Sequence, residues 1–493
     1  MDTTIGTKPE AKTENQRLRE EILARLSELG GQRVKDDALI FEGTKFVLPA
    51  NMEGRVDDAI EYLEDWKEAQ EEDYAYSREF RYRPWDGAAA FDRAMKRLFG
   101  TTGLGARTVS FFGSRPPEYR TIDVAHGQTT QVPWGKVAFK PLSATFELGV
   151  SMHDDFGLVF ALSVNAPKKY RTHIEAFFAV VEDELTTGSI YKGRAITAAD
   201  TPQFINTSTV DPSRVVYSDD VMTQLNANVW SVLRYADTMR QIGLPLKRQV
   251  LLYGPYGTGK SLAGMLTAQE AERHGWTYIQ VRPGDDLGNA LRTAQIYAPA
   301  VVMFEDVDQI NTDSTQGVAQ LLDILDGVTN KGVEVMALFT TNHEDRLHRG
   351  MMRPGRLDAV IELAGLDAGG TKRLVEAVVP AHLRSTSMDW DAVAQAFDGL
   401  LPAFAKEAID RAQRYAIARS GGVPQVIEAR DLVDAAAGIR QQVKMMEDAP
   451  LATNKDSLGA ALTRTVSSAL QGHHVDHFGD ALRIVPSTNG IPA

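Results

Sequence analysis

Residues 251–264 read LLYGPYGTGKSLAG, and residues 301–308 read VVMFEDVD. The first stretch fits the pattern GxxxxGK[ST], with an apolar strand before it and a helical segment after it. Glycines at such a turn let backbone N–H groups converge on a phosphate, and the helix that follows adds its dipole. The pattern therefore predicts a phosphate-binding loop made of Gly254, Pro255, Tyr256, Gly257, Thr258, Gly259, Lys260, Ser261 and Leu262.

Two side chains of this loop have predicted roles of their own. The Lys260 ammonium can reach the β- and γ-phosphates of a nucleotide, and the Ser261 hydroxyl can coordinate Mg²⁺. The alternative is a glycine-rich turn with an incidental lysine. The strand before the loop and the helix after it favour the phosphate site.

Glu305 and Asp306 follow the apolar strand 301–304. A phosphate-binding loop needs a carboxylate that holds Mg²⁺ and a base that orients the attacking water. Adjacent strand residues point to opposite faces, so the two carboxylates have different tasks. Position assigns Glu305 to Mg²⁺ and Asp306 to the water, which reverses the commoner Asp-Glu order. Asp306 is then shorter than the usual base, so slow hydrolysis is a hypothesis. The alternative for this acidic pair is a solvated strand end.

Composition narrows the class of protein. The 493 residues include no cysteine and carry a net charge of −13. Disulfides and thiolate metal sites are excluded, and a general polyanion binder is disfavoured. The first residues are polar, and no apolar run approaches the ~18 residues that span a bilayer. We therefore expect a cytoplasmic protein without a membrane partner.

The chain divides by pattern. Apolar residues alternate over 146–152 and again over 158–164, which predicts a β-hairpin, and they recur at helical spacing over 174–185. Short apolar strands then alternate with helices from about residue 213, which is typical of a parallel α/β sheet. The predicted divisions are an α+β N-terminal domain at 1–185, a linker at 186–212, a large α/β subdomain at 213–366, a helical subdomain at 367–447 and a loosely ordered tail at 448–493.

Three stretches together resemble the classical AAA ATPases of the AAA+ superfamily. They are GLPLKRQVLLYGPYGTGKS (243–261), YAPAVVMFEDVDQI (297–310) and LLDILDGVTNKGVEVMALFTTNHEDRLHRGMMRPGRLDAVIEL (321–363). The last is similar to that family's second region of homology and is the most specific of the three. The resemblance covers residues 213–445, while residues 1–185 match no family that we can name.

The resemblance implies an α/β P-loop NTPase core with a parallel five-stranded sheet and a C-terminal helical lid, preceded by the separate α+β domain. It also implies a homo-hexameric ring with ATP at the subunit interfaces. Asn342 matches the polar sensor near the γ-phosphate, and Arg353 and Arg356 match the arginine fingers that reach a neighbour's site. Arginines supplied in trans would make hydrolysis depend on assembly.

Two departures from the family bear on function. The lid stretch reads Phe397-Asp398-Gly399-Leu400-Leu401, and the loop after the second strand lacks the aromatic–apolar–glycine triplet with which many unfoldases grip polypeptide.

We predict a Mg-ATP-dependent AAA ATPase that remodels a macromolecule bound by its N-terminal domain, and a protein client is favoured. The alternatives are a nucleic-acid motor or loader on the same core and a slow or non-catalytic nucleotide-gated scaffold.

Overall fold

The computed structural model divides the chain into two compact units. The first comprises Met1–Val210, Gln224–Tyr253 and Ser261–Ile361, and the second comprises Asp211–Thr223, Gly254–Lys260 and Glu362–Ala493. The structure describes residues 56–100, 108–110, 113–115, 118–307, 333–342, 357–423, 426–448, 473–478 and 481–486, three strands within 32–47, and the single residues 13, 16, 17, 20 and 24.

The N-terminal part of the first unit is mainly antiparallel sheet. Three short strands pair with one another: β1 Gln32–Lys35, β2 Ala38–Phe41 and β3 Thr44–Val47. After the helix α1, Val56–Glu71, comes a sheet of five strands. Its order is β4-β10-β9-β8-β7, with bounds β4 Asp73–Phe80, β7 Glu118–Ala125, β8 Gln128–Phe139, β9 Ala144–His153 and β10 Gly157–Pro167. The strands β5, Thr108–Ser110, and β6, Gly113–Arg115, form a separate ribbon.

The predicted hairpin and the helix after it are confirmed, but Val150 and Met152 of the predicted buried face are exposed. Leu148 lies opposite Leu162 and Phe146 opposite Val164, so the alternating apolar residues share one face. Two helices, α2 Pro84–Phe99 and α3 Arg171–Gly188, cover that face. The Phe146 ring lies 5.4 Å from that of Phe91 on α2 and 4.9 Å from that of Phe177 on α3. Burial of these aromatic rings stabilises the layer of helices on the sheet.

The predicted parallel sheet has six strands, not five. Their order is β11-β13-β14-β15-β12-β16, with bounds β11 Ala195–Thr197, β12 Arg248–Tyr253, β13 Thr277–Val281, β14 Ala300–Phe304, β15 Val335–Thr341 and β16 Ala359–Glu362. The additional strand, β11, comes from the segment 186–212 that the sequence predicts to be a linker, and it pairs in parallel with β13. Three residues among turn formers give too little periodicity to be recognised as a strand.

The remaining helices are divided between the two units. Those before residue 300 are α4 Asp219–Leu225, a π-helical turn Asn226–Trp230, α5 Ser231–Arg234, α6 Ala236–Gln241, α7 Lys260–Arg273 and α8 Leu287–Ile296. The predicted helical segment 367–447 contains α9 Ala368–Val378, α10 Trp390–Phe397, α11 Pro402–Arg419 and α12 Ala429–Asp448, packed around a common core. That these helices act as a lid stays a prediction, as do the domain boundaries.

The predicted loose tail, 448–493, contains an antiparallel hairpin of β17, His473–Phe478, and β18, Ala481–Pro486.

Within the described part of the chain, no helix combines the length and the apolar character that crossing a membrane requires.

The buried Arg83 side chain joins the N-terminal sheet to the parallel sheet inside the first unit. Its Nη2 donates hydrogen bonds to Thr293 Oγ1 (2.5 Å) and to the Asn289 side chain on α8, and its Nη1 donates to the Leu158 carbonyl (3.0 Å). Its backbone N–H donates to the Tyr297 hydroxyl (3.0 Å). We call Arg83, Asn289, Thr293 and Tyr297 the Arg83 cluster. A guanidinium with no exposed surface is tolerated here because these acceptors replace water.

Asp86, on α2, is a fully buried carboxyl group next to this cluster. It accepts hydrogen bonds from the Ser189 hydroxyl (2.6 Å) and the Ile190 N–H (2.9 Å). Burial raises the pKa of Asp86 to about 6, and these hydrogen bonds offset part of the effect. The folded protein therefore keeps a proton that the unfolded chain releases near pH ~4.

Replacement of Asp86 by asparagine is expected to change the pH dependence of stability. Between pH ~4 and ~6 the folded wild type binds more protons than the unfolded chain, so its stability falls as the pH rises. An asparagine side chain carries no such proton, so the free energy of unfolding of Asp86→Asn relative to the wild type should rise by ~3 kcal/mol between pH ~4 and ~7.5. Urea titrations followed by tryptophan fluorescence measure this difference. A difference that does not vary with pH would contradict the prediction.

Candidate functional site

The loop 254–259 has the backbone that a phosphate-binding turn requires. It leaves the buried strand β12 and enters α7 at Lys260. Gly254, Gly257 and Gly259 have φ values of +147°, +87° and +97°, which side chains other than glycine rarely adopt. A Cβ atom at Gly254 would lie 2.3 Å from the Leu363 carbonyl oxygen, so no larger residue fits there.

The ammonium group of Lys260 lies inside the loop that precedes it. The side chain is buried, and its Nζ donates to the carbonyl oxygens of Gly254 (2.7 Å) and Pro255 (2.9 Å). The Thr258 hydroxyl also donates to the Pro255 carbonyl (2.9 Å), which closes the turn, and the exposed Tyr256 ring lies 5.9 Å from the ammonium. The cation is thus held at the centre of the glycine-rich turn, where it can meet an anion.

Tyr217 supports this loop and was not singled out by the sequence. Its hydroxyl donates to the Gly259 carbonyl (2.7 Å), and its side chain is buried. The contact joins residues 42 positions apart and belongs to no local motif. Only the tertiary packing of the second unit reveals it.

A cavity of about 500 Å³ lies beside Tyr217 in the second unit. Its walls come from the segment before α4, from α4 itself and from α9, and they include Val215, Val216, Tyr217, Met222, Arg373 and Glu376. Arg373 donates to the Tyr217 carbonyl (3.3 Å) and pairs with Asp219 (3.0 Å). The cavity is thus bounded by apolar and charged groups together, and cavities of this size hold small molecules.

In the first unit, Asp306 and Asn342 are in contact. The Asn342 Nδ2 donates to Asp306 Oδ1 (2.8 Å), and the Asp306 N–H donates to the Thr340 hydroxyl (3.0 Å). The strands β14 and β15 are parallel neighbours, so residues that follow them meet at one edge of the sheet. Asp306 has φ +46°, a conformation that Asp and Asn tolerate better than Glu. The backbone thus gives a physical reason for the shorter carboxylate at this position.

Glu305 has different surroundings from its neighbour. The side chain is half-buried, and this burial raises the pKa of Glu305; a hydrogen bond with Gln280 and the charge of Arg282 act in the opposite direction. Arg282 Nη2 also donates to Gln280 Oε1 (3.2 Å). Gln280 and Arg282 therefore favour the charged form of this carboxylate, and neither was predicted from the sequence.

The predicted site residues lie in three groups. Lys260 and the loop glycines belong to the second unit, while Ser261, Leu262, Glu305, Asp306 and Asn342 belong to the first. The predicted arginine fingers, Arg353 and Arg356, lie outside the described residues. Ser261 and Glu305 supply hydroxyl and carboxylate oxygens, the ligand types that Mg²⁺ prefers, so the predicted metal ligands fit the ion in chemistry.

Comparison with known proteins gives a family match over the part of the chain that contains the loop 254–262, Asp306 and Asn342. Residues 250–364 match the model of the family described as "ATPase family associated with various cellular activities (AAA)". The chain is 27% identical over 217 residues to a cell division cycle protein 48 homolog of Archaeoglobus fulgidus, and the match covers 41% of this chain and 29% of that protein.

Two further relatives extend the comparison. A 26S proteasome regulatory subunit 6B homolog of Schizosaccharomyces pombe is 32% identical over 32% of this chain and 46% of its own length. An ATP-dependent zinc metalloprotease FtsH 2 of Symbiobacterium thermophilum is 28% identical over 44% of this chain and 40% of its own length. The chain thus spans less than half of each of these relatives. Through residues 250–364, it carries a domain of the AAA ATPase family.

Proposed function

We propose that this protein binds Mg-ATP through the loop 254–262 and hydrolyses it. The observation that carries the proposal is the loop itself, in which Lys260 places a buried ammonium inside a turn of left-handed glycines. Such a turn offers convergent N–H groups to a β-phosphate, and the lysine can exchange its two carbonyl partners for phosphate oxygens.

Asp306 is the residue that we assign to the attacking water. A carboxylate that orients water must itself be held, and the Asn342 amide holds one of its oxygens at 2.8 Å. The side-chain oxygen of Asn342 can also accept a hydrogen bond from the attacking water or from a water molecule bound to it. This pairing supports the assignment of Asp306 and Asn342 to one catalytic task.

Ser261 and Glu305 are the residues that we assign to Mg²⁺. When bound, the ion would draw negative charge from the phosphates and make the terminal phosphoryl group easier to transfer. Gln280 and the charge of Arg282 favour the charged form of Glu305 against the cost of burial. Arg353 and Arg356 are assigned in trans, from a neighbouring subunit of a homo-hexameric ring.

We further propose that a protein is the client, recognised by the N-terminal sheet. The names of two relatives refer to a proteasome regulatory subunit and to a metalloprotease, and proteases act on proteins. The net charge of −13 disfavours a nucleic-acid polyanion as the main partner. Stimulation of ATP hydrolysis by DNA or RNA, lost as salt is raised, would support the nucleic-acid motor instead.

Steady-state ATP hydrolysis by the purified protein tests the function and the ring together. If arginines from a neighbour complete each site, specific activity should rise at least ~10-fold as protein concentration passes through the monomer–oligomer transition. Light scattering on the same samples locates that transition. An activity per chain that stays constant across it would contradict the trans arginines, and absence of hydrolysis at every concentration would contradict the proposed enzyme.

A further inference from the structure

The contact between Tyr217 and the phosphate-binding loop has a consequence for nucleotide binding. The phenol oxygen lies 2.7 Å from the Gly259 carbonyl oxygen, to which the hydroxyl donates. The ring also packs on the glycine, since a Cβ at Gly259 would lie 3.2 Å from Tyr217 Cε1. Tyr217 thus fixes both the position and the direction of one carbonyl in the turn.

That carbonyl belongs to the peptide that joins Gly259 to Lys260. A trans peptide is planar, and its C=O and N–H point in opposite directions. Holding the Gly259 C=O therefore also sets the direction of the Lys260 N–H. Lys260 is the first residue of α7, and the N–H groups of a first helical turn point outward along the axis, toward the place where an anion binds.

We propose that Tyr217 is a positioning residue, which aims the Lys260 N–H at the β-phosphate of ADP or ATP without touching the nucleotide's phosphates itself. The inference rests on the proposed function, because it assigns a nucleotide to the loop. Glycine at 259 makes such a restraint useful, since a residue with φ +97° and no side chain has several peptide orientations open to it.

Tyr217 is itself held from the helical side of the second unit. Arg373, on α9, donates to the Tyr217 carbonyl and pairs with Asp219 two residues further on. The tyrosine therefore has a fixed backbone on one side and a hydrogen bond to the loop on the other. A displacement of α9 would reach the peptide 259–260 through this one side chain. Burial raises the pKa of Tyr217, so its hydroxyl keeps its proton and remains a donor at neutral pH.

The test replaces Tyr217 by phenylalanine, which removes the hydroxyl and keeps the ring. Dissociation constants are measured by calorimetry for ADP and, by displacement, for AMP, which lacks the β-phosphate. We expect the Kd of ADP to rise about 10-fold, equivalent to ~1.4 kcal/mol, while that of AMP changes less than about twofold. Tyr415→Phe is the matched control, since Tyr415 is exposed on α11, and it should change neither Kd.

The outcomes separate positioning from mere support of the fold. Equal weakening of ADP and AMP, with a lower melting temperature of the ligand-free protein, would mean that Tyr217 only stabilises the unit and would overturn the inference. Unchanged ADP affinity would overturn it as well. If the wild type bound neither ADP nor ATP, the proposed function would fail at the first titration, before the variants were compared.

Discussion

Replacement of Lys260 by alanine is expected to lower kcat/KM for ATP by ~10³-fold or more. The ammonium is the one side-chain cation that the structure places inside the described loop 254–260, where it is buried and bonded to two carbonyl oxygens. Loss of a single preorganised donor to developing phosphate charge costs ~10²–10³-fold in rate, and loss of ground-state binding adds to it. A coupled assay for released phosphate measures the change over a range of ATP concentrations.

Lys406→Ala is the matched control for this variant. Lys406 lies on the exposed side of α11 and pairs with Asp410 in the same helix, at 2.7 Å. Such surface pairs contribute ~0–1 kcal/mol to stability, so the control should keep wild-type activity. If Lys260→Ala also kept its activity, hydrolysis would not depend on this loop, and the assignment of the loop as the nucleotide site would be wrong.

Asp306→Asn is expected to lower kcat by ~10²–10⁴-fold while nucleotide affinity stays within a few-fold of the wild type. Asparagine fits the same left-handed backbone conformation, so the fold of the strand end should persist. What the variant loses is the negative charge that orients water and accepts its proton. Its Kd for ATP by calorimetry and its single-turnover rate together separate binding from chemistry.

Asp154→Asn serves as the control for this second variant. Asp154 is exposed in the turn between β9 and β10, and the same change of charge there should leave turnover unchanged. A kcat for Asp306→Asn within about threefold of the wild type would mean that Asp306 is not the base. Asp306 and Asn342 would then not share a catalytic task. A loss of ATP affinity equal to the loss of kcat would instead place Asp306 in nucleotide binding.

The parts of the site that sequence predicts are those whose determinants lie close together in the chain. The loop 254–262 follows from one short run of residues, because glycine conformation, strand and helix are all local signals. The contact of Asp306 with Asn342 is different, because it joins residues 36 positions apart and was not predicted. It arises because the neighbouring parallel strands β14 and β15 end at the same edge of the sheet.

The parts that sequence did not predict depend on packing between distant segments. Tyr217 carries no motif, and its role arises from a hydrogen bond to a residue 42 positions along the chain. Strand β11 has three residues, too few to show a period. Arg83 reads as an ordinary surface residue, because arginine is almost never fully buried unless it is paired. Each of these features can be recognised only when the position of its partner in the fold is known.

The Arg83 cluster fastens the N-terminal sheet to helix α8 within the first unit. Swinging the N-terminal sheet away from α8 would break the hydrogen bonds of the Arg83 guanidinium to Asn289 and Thr293 and expose it to water, and a hydrogen bond to a charged group contributes about 1.5–3 kcal/mol. We therefore expect the two sheets of the first unit to move together. A client gripped by the N-terminal sheet would then be displaced as far as helix α8 is displaced, and the stroke would be generated at another joint of the chain.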